Sequence, residues 1–512
     1  MNMLQRKADM VDVMFLLEGT FPYVYGGVSA WVNQMIRTFP DTSFGIVFLG
    51  GRKQDYAEPR YELPDNVLHF EAHYIHEQGA AVEIRGSKGD RKAFASVADL
   101  HDRLRSGDSL DDIGGLIRTV LPMMKKGGKL DEQQFLHSEE SWKLITNRYE
   151  EYSTDPSFTD YFWTVRIMHK PLWQLAELAM SVPKARVYHT VSTGYAGFLG
   201  ALLHYRSGSP LLVSEHGIYT KERKIDLLQS RWIQDNRSIF EKDISRSGYF
   251  QELWVRFFEK MGLMCYQAAT EIVALYEGNR QRQIADGAPA EKTRCIPNGI
   301  DVERLAVLRE QREPGIPAVV GLIGRVVPIK DVKTFIRTLF VAKKELPDIE
   351  GWIIGPETED PAYARECHEL VVSLGMQDSV RFLGFCRIED VLPKLGLLAL
   401  SSISEALPLV VLEAFAAGVP VITTDVGSCR QLLEGGNDED RALGAAGAVV
   451  PIASPEAMSA AMVELLTDSL RWRAAQQAGI ARVERFYRDS LILQEYCELY
   501  QQLLAQSPEQ PA

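Results

Sequence analysis

The chain has 512 residues, of which 46% are hydrophobic and 24% charged. This is the composition of a folded globular protein; it excludes disorder as the main state, and at ~150 residues per domain the length allows two to four domains. Lys and Arg number 56 against 69 Asp and Glu, a formal net charge of −13. An acidic chain is a poor partner for nucleic-acid phosphates or an anionic membrane, so any cationic site has to be local. No stretch approaches the ~20 apolar residues of a bilayer-spanning helix, and residues 11–17 lack the basic start and cleavage site of a signal peptide. The six cysteines, Cys265, Cys295, Cys367, Cys386, Cys429 and Cys497, form no CxxC pair. That pattern is neither a disulfide framework nor a zinc site and reads as reduced thiols in the cytosol.

In chain order, the first element is the apolar run 11–17, a strand buried on both faces. A turn, Phe21-Pro-Tyr-Val-Tyr-Gly26, leads to Gly26-Gly27 and then to a helix with apolar residues at Val28, Trp31, Val32, Met35, Ile36 and Phe39. Strands follow at 44–49, 186–190, 211–214 and 271–275, alternating with helical patterns. Residues 77–170 are polar and helix-prone and read as a mostly helical insertion in the first domain; residues 221–262 read as another charged, aromatic-rich helical stretch. The histidines His69, His73 and His76 lack metal-ligand spacing and read as part of a mobile surface loop. A linker is expected at Pro314-Gly-Ile-Pro317. After it come strands at 319–323, 351–355, 380–383, 397–400 and 419–423, with helices at 333–345, 362–374 and 409–417, the last closed by Gly418.

The alternation predicts an α/β chain of two tandem doubly wound, Rossmann-like domains facing a cleft. The expected boundaries are 1–310 for the first domain, including its insertion, and 311–485 for the second. A C-terminal helix and tail at 486–512 would cross back to the first domain.

Four features lie at strand ends or helix starts. Glu405-Ala-Leu-Pro-Leu-Val-Val-Leu-Glu413 separates two carboxylates by seven residues. Pro408 suits the first helical turn, so Glu405 precedes the helix and Glu413 lies within it. The carboxylates could hold sugar hydroxyls while the helix start attracts an anion. Gly324-Arg325-Val-Val-Pro-Ile-Lys330 follows a strand and offers a guanidinium and an ammonium to phosphate oxygens. Gly26-Gly27 permits close backbone approach to a ligand but is not a dinucleotide fingerprint. Ser214-Glu-His-Gly217 puts His216 at a strand end, within reach of a hydroxyl or phosphate. Singly, each feature is also what a solvated loop, a tight turn or a structural histidine looks like.

Together, and with Ile296-Pro-Asn-Gly-Ile-Asp301 and Glu413-Ala-Phe-Ala-Ala-Gly-Val-Pro-Val-Ile-Thr-Thr-Asp425, they are more specific. The ordered set resembles the family-4 retaining glycosyltransferases of GT-B fold, most strongly over 290–435 and more weakly over 11–60 and 186–300. Glu18-Gly-Thr-Phe-Pro-Tyr-Val-Tyr-Gly-Gly-Val-Ser-Ala-Trp31 and Ser214-Glu-His-Gly-Ile-Tyr-Thr-Lys-Glu-Arg223 narrow the resemblance to members that build exopolysaccharides.

The resemblance implies roles residue by residue. Arg325 and Lys330 bind the donor diphosphate, Glu405 contacts the donor hexose, and Glu413 grips the ribose hydroxyls. Arg325, Lys330 and Glu405 form the catalytic set. Residues Ala406, Leu407, Pro408 and Leu409 stand where the family directs backbone N–H groups at sugar and phosphate; here Ala406 replaces a glycine and Pro408 cannot donate. Gly26 and Gly27 lie near diphosphate and acceptor, His216 contacts the substrate, and the nucleotide base rests near residues 381–385. The implied donor is a UDP-sugar, with a hexose or N-acetylhexosamine moved onto a polysaccharide acceptor. No cofactor or metal is required, because cationic side chains and helix dipoles stabilise the leaving diphosphate. The implied partners are inner-membrane assembly proteins that export the polymer, with no nucleic acid and no membrane span in this chain. Two other readings stay open: a GT-B epimerase, and an inactive nucleotide-sugar-binding scaffold.

Overall fold

The computed structural model describes residues 6–77, 86–106, 113–155, 157–230, 233 and 248–508. Parts of the stretches read as helical at 77–170 and 221–262 therefore lie outside the described residues. Contacts divide the chain into two units: Met1–Ala274 with Arg280–Cys295 and Cys497–Ala512, and Leu275–Asn279 with Ile296–Tyr496.

The first unit is built on seven strands: β1 (Met10–Glu18), β2 (Phe44–Gly50), β3 (Val67–Tyr74), β4 (Lys184–Thr190), β5 (Leu211–Glu215), β6 (Glu271–Ala274) and β7 (Thr293–Cys295). Their order is β3-β2-β1-β4-β5-β6-β7, and every neighbouring pair is parallel. Every residue of β2 and the centre of β1 are buried, which is why both read as unbroken apolar runs: a parallel sheet covered on both faces has no solvent side. Because β1 pairs with β2 on one side and β4 on the other, the winding reverses there, and ligands of such sheets bind beyond the carboxyl ends at that point. The β3-to-β4 connection contains the helices Arg91–Ser106, Ile113–Val120, Glu132–His137, Glu139–Tyr152 and Phe158–Ser181. Part of it has its own core, in which Phe94, Val97, Leu130, Phe135 and Trp173 are buried together.

Two of the three histidines are not in a loop: His69 and His73 lie on β3, while His76 sits in the turn that follows it. With a strand period of two, His69, Glu71 and His73 share a face; the two imidazoles reach the carboxylate at 2.8 and 2.7 Å. Burial alone would raise the Glu71 carboxyl, but hydrogen bonds and charge from His69 and His73 hold it down at about 2. A carboxyl depressed in the folded state contributes stability above its unfolded pKa and loses it as pH falls toward the folded value. The contribution of Glu71 is therefore expected to fade from about pH 4.5 to about pH 2. Urea melts of Glu71→Gln over this range should show a shallower acid slope than the parent; equal slopes would contradict the assignment.

The second unit holds β8 (Val319–Ile323), β9 (Glu350–Ile354), β10 (Val380–Gly384), β11 (Leu397–Leu400), β12 (Val421–Thr424) and β13 (Gly447–Val450). The order is β10-β9-β8-β11-β12-β13, again parallel throughout, so the winding reverses between β8 and β11. The helix Leu409–Ala416 ends as expected: Gly418 takes φ +72°, and the Gly418 and Val419 N–H groups donate to Phe415 and Ala414 carbonyls.

Apart from Leu275–Asn279, the chain joins this unit from Ile296 onward, earlier than the expected boundary at 310. Leu305 and Leu308 are buried with Val411 and Phe415, so their apolar side chains commit 296–310 to the second core. Pro314-Gly-Ile-Pro317 is consequently a turn inside the unit, leading into β8, not a linker. Gly299 shows why the Pro-Asn-Gly sequence is needed: a Cβ there would come within 2.6 Å of the Asp489 backbone, where the Ile300 N–H donates to the Tyr487 carbonyl and the Asp489 N–H donates to the Ile300 carbonyl. At the other end, the helix Asp489–Gln506 is counted with the first unit only from Cys497, later than 486. Tyr500 meets His189 at 2.7 Å there, and Arg186 donates to the Leu504 carbonyl. Among the described residues no helix is long and apolar enough to cross a membrane.

Candidate functional site

In the second unit the loops after β8 and β11 flank the reversal of winding. The β8 loop runs through Gly324 and Arg325 to a short 3-10 turn, Pro328–Lys330. Asp331 follows with φ +43°, a left-handed conformation that aspartate tolerates. Its carboxylate accepts from the Thr334 N–H at 3.2 Å and starts the helix Val332–Ala342. Two contacts bind this turn to the β11 loop. Ser401 Oγ donates to the carbonyls of Lys330 and Asp331, both at 2.9 Å, and the Ile403 N–H donates to the Ile329 carbonyl. Lys330, whose stem passes 3.5 Å from a Cβ position on Gly324, is thereby aimed at Glu405. The ammonium and carboxylate meet at 2.5 Å, and Ser402 Oγ donates to the same carboxylate oxygen at 2.5 Å.

The remaining candidate residues of this unit take different positions. Ala406 and Leu407 form the bend before the helix, with Leu407 buried. The Ala406 carbonyl accepts from the Ser428 N–H, and Gly427 (φ +55°) lies so close that a Cβ on it would be 2.2 Å from the Glu405 carbonyl oxygen. The bend is thus held by the turn after β12. Pro408 caps the helix, and Leu409 is its first residue. Glu413, one turn further, is pushed up by burial; Arg304 opposes that shift and Glu389 adds to it. Arg304 is itself ion-paired with Glu389. Arg325, at the start of the β8 loop, is half exposed and forks onto Glu359 at 2.5 and 2.7 Å. Lys330 and Glu405 are therefore in direct contact, whereas Arg325 and Glu413 each face other charged partners. In the segment read as a base platform, Arg381 pairs with Glu350, Phe382 stacks on His368 at 3.8 Å, and Phe385 is largely exposed.

In the first unit, Gly26 caps the helix Gly27–Thr38. A Cβ on either glycine would meet nothing within 4 Å, so packing within the chain does not require glycine there. His216 follows β5, buried, with its ring edge-on to Trp31 at 4.6 Å, and burial lowers it to about 4. Val28 and His216 line one cavity of about 440 Å³, together with Glu18 from the end of β1 and Ser192 from beyond β4. Beside it, Glu215 accepts from Tyr266 Oη, Gln283 Nε2 and Thr193 Oγ1 at 2.5, 3.0 and 2.9 Å, tying together the segments that carry those residues.

Sequence reasoning assigned no role to Ser401, Ser402, Gly427 or Glu359, nor to Glu18, Tyr219 and Arg223. The serines follow an apolar strand at the site's edge, which was a usable signal. The others become neighbours only through pairings far apart in the sequence.

Two parallel, doubly wound units, with a lysine–carboxylate pair at the second reversal point, define the GT-B fold class. Consistent with it, the structure resembles Anabaena HepE in complex with UDP (TM-score 0.55, 15% identity, 96% of this chain and 100% of that one). It also resembles a sucrose-phosphate synthase from Thermosynechococcus elongatus (TM-score 0.54, 17% identity, 96% and 99%). The chain belongs to the family described as Domain of unknown function (DUF3492), which matches residues 11–291, and carries a domain of Glycosyl transferases group 1 over 317–468. It is similar to the lipopolysaccharide core biosynthesis mannosyltransferase LpsB of Rhizobium meliloti, at 29% identity over 190 residues, 36% of this chain and 52% of that protein. It is also similar to a D-inositol 3-phosphate glycosyltransferase of Kineococcus radiotolerans, at 29% identity, 42% and 53%. The chain thus spans about half the length of these relatives.

Proposed function

We propose that this protein is a retaining, family-4 glycosyltransferase that moves a hexose or N-acetylhexosamine from UDP-glucose or a UDP-N-acetylhexosamine onto a growing exopolysaccharide. The observation that carries the reading is the Lys330–Glu405 contact at the winding reversal of the second sheet. A cation beside a sugar-holding carboxylate, at the carboxyl end of a parallel sheet and ahead of a helix N-terminus, suits a donor with a diphosphate next to a hexose. UDP in the complex of HepE supports uridine as the nucleoside.

In this reaction the bond between the anomeric carbon and the diphosphate oxygen breaks, and a bond from that carbon to an acceptor hydroxyl oxygen forms. Negative charge grows on the departing diphosphate, where Lys330 and Arg325 stabilise it; Arg325 must then leave Glu359. Glu405 and Glu413 position the hexose and ribose. Attack is from the front face, and the acceptor proton passes to the leaving phosphate. Side-chain cations perform the task a divalent metal has in other transferases, so no metal is required. Among exopolysaccharide systems the reading lies closest to PelF, the glycosyltransferase of Pel assembly in biofilm formation, on the Glu18-to-Trp31 and Ser214-to-Arg223 segments. It places the chain in the cytoplasm, recruited by inner-membrane Pel assembly proteins.

Calorimetry with UDP, UDP-glucose and UDP-N-acetylglucosamine, coupled to release of UDP, tests this. UDP at a hundred times its dissociation constant should add about 2.7 kcal/mol to the folded state. UDP release should be unchanged after exhaustive treatment with EDTA. Absence of UDP binding would refute the donor assignment, and loss of turnover restored by a divalent ion would refute the metal-free mechanism.

A further inference from the structure

Among the described residues the Arg325 side chain has one ionic partner, Glu359, whose carboxylate accepts from the guanidinium at 2.5 and 2.7 Å. Glu359 belongs to the loop 355–360, between β9 and the helix Pro361–Ser373. That loop is fixed at both ends beside the β8 loop. The Gly324 N–H donates to the Ile354 carbonyl and the Val326 N–H to the Pro356 carbonyl, so the backbone on either side of Arg325 is bonded to the entry of the loop. Gly355 makes this approach possible: a Cβ there would lie 2.0 Å from the Gly324 carbonyl oxygen. At the far end the Asp360 carboxylate accepts from the Tyr363 N–H at 3.0 Å and starts the helix.

The acidic residues of this loop divide by task. Glu357 meets His368 Nε2 at 2.7 Å, and that ring stacks on Phe382 of β10. Asp360 caps the helix. Glu359 does neither; its carboxylate reaches across to the β8 loop and takes the guanidinium there. Lys333, the next basic residue after Lys330, is held by Glu366 at 2.6 Å. The planar fork of a guanidinium suits carboxylate and phosphate alike, so Glu359 and a diphosphate are alternative partners for Arg325. Both members of the pair are half exposed, and an exposed ion pair shifts an equilibrium constant only about 1.4- to 5-fold. A diphosphate, which carries more than one negative charge, can therefore displace it. The Lys330–Glu405 contact is mostly buried, so the exchangeable cation of the two is Arg325.

We propose that Glu359 is an internal competitor of the donor: its carboxylate holds Arg325 while the diphosphate is absent, yields it when the diphosphate binds and takes it back as UDP leaves. The proposal rests on the transferase reading above and adds a regulation of that same site. No covalent bond is made or broken; one ion pair is exchanged for another. Apparent affinity is reduced by the fraction of molecules in which the pair is closed, and the returning carboxylate speeds release of UDP. Glu359 touches neither substrate nor reacting atoms; it is a positioning residue that acts through Arg325.

Calorimetry and stopped-flow measurements with UDP test it on the full-length parent, Glu359→Gln, Glu359→Asp, Arg325→Met and the Glu359→Gln/Arg325→Met double variant, with thermal melting as a control of folding. Glu359→Gln should melt like the parent and bind UDP about two- to fivefold more tightly. The gain should appear as a slower release rate and shrink at high salt. Glu359→Asp, which keeps the charge on a shorter stem, should fall between the parent and Glu359→Gln. In the Arg325→Met background Glu359→Gln should bring no gain, because the carboxylate then has no cation to withhold. Equal gains in both backgrounds would mean that Glu359 only repels the diphosphate, and would overturn the proposal. So would unchanged UDP affinity in folded Glu359→Gln and Glu359→Asp. Failure of the donor reading shows separately, as absence of UDP binding in the parent.

Discussion

Lys330→Ala is expected to abolish measurable transfer and to weaken UDP binding while the protein stays folded. The ammonium is the cation that the fold aims directly at the Glu405 carboxylate. Removing one pre-organised donor from a site where charge develops costs about 10²–10³ in rate, or roughly 2.7–4 kcal/mol. The alanine variant also leaves Glu405 without its counter-charge, though Ser402 still donates to it, so thermal stability should fall only modestly. Arginine at 330 keeps the charge but not the compact geometry, and should recover UDP affinity more than turnover. Single-turnover UDP release and calorimetry on both variants decide the matter. An alanine variant with parental UDP affinity and rate would refute the proposed diphosphate role of Lys330.

Asp440→Ala is expected to have a large effect on stability. Arg482 is wholly buried and its guanidinium meets the Asp440 carboxylate at 2.5 Å. It also donates to the carbonyls of Leu432, Leu433, Asp440 and Gly444, closing the segment between the helix Cys429–Glu434 and β13. Removing one member of such a pair leaves an uncompensated buried charge and typically costs 3–5 kcal/mol. For a unit of this size that corresponds to about 10 °C in melting temperature. Arg482→Met leaves the buried Asp440 carboxylate unpaired and the four carbonyls without their donor, and should cost at least as much. If the two variants melt alike and within a degree or two of the parent, the pair is not a structural lock. Because the pair lies away from Lys330 and Glu405 in sequence and makes no contact with either, residual folded Asp440→Ala should keep the parental UDP affinity.

Legibility differed by element for physical reasons. Strands β1, β2, β5, β8 and β11 announce themselves because burial on both faces demands continuous apolar sequence. β3 does not: His69, Glu71 and His73 satisfy one another on one face, and a strand made tolerable by side-chain hydrogen bonds resembles a loop. β7 (Thr-Arg-Cys) and β13 (Gly-Ala-Val-Val) are short and, unlike the equally short β11, offer no unbroken run of large apolar residues. Proline and glycine at 314–317 mark a turn whether or not a domain ends there; only the burial of Leu305 and Leu308 assigns the preceding segment to the second unit.

The same division applies to the site. Residue type and spacing mark Arg325, Lys330, Glu405 and Glu413 as candidates, their roles coming only from the family resemblance; Pro408 fixes where the helix starts and thus which carboxylate precedes it. That Lys330 touches Glu405 while Arg325 turns to Glu359 could not be read along the chain. Local order specifies strands, turns and caps, which are short-range properties of the backbone. Partners are chosen by strand order: β8 and β11 lie side by side although β9 and β10 intervene in sequence, and Glu18 finds Tyr219 and Arg223 only because β1 is flanked by β4 and, beyond it, β5.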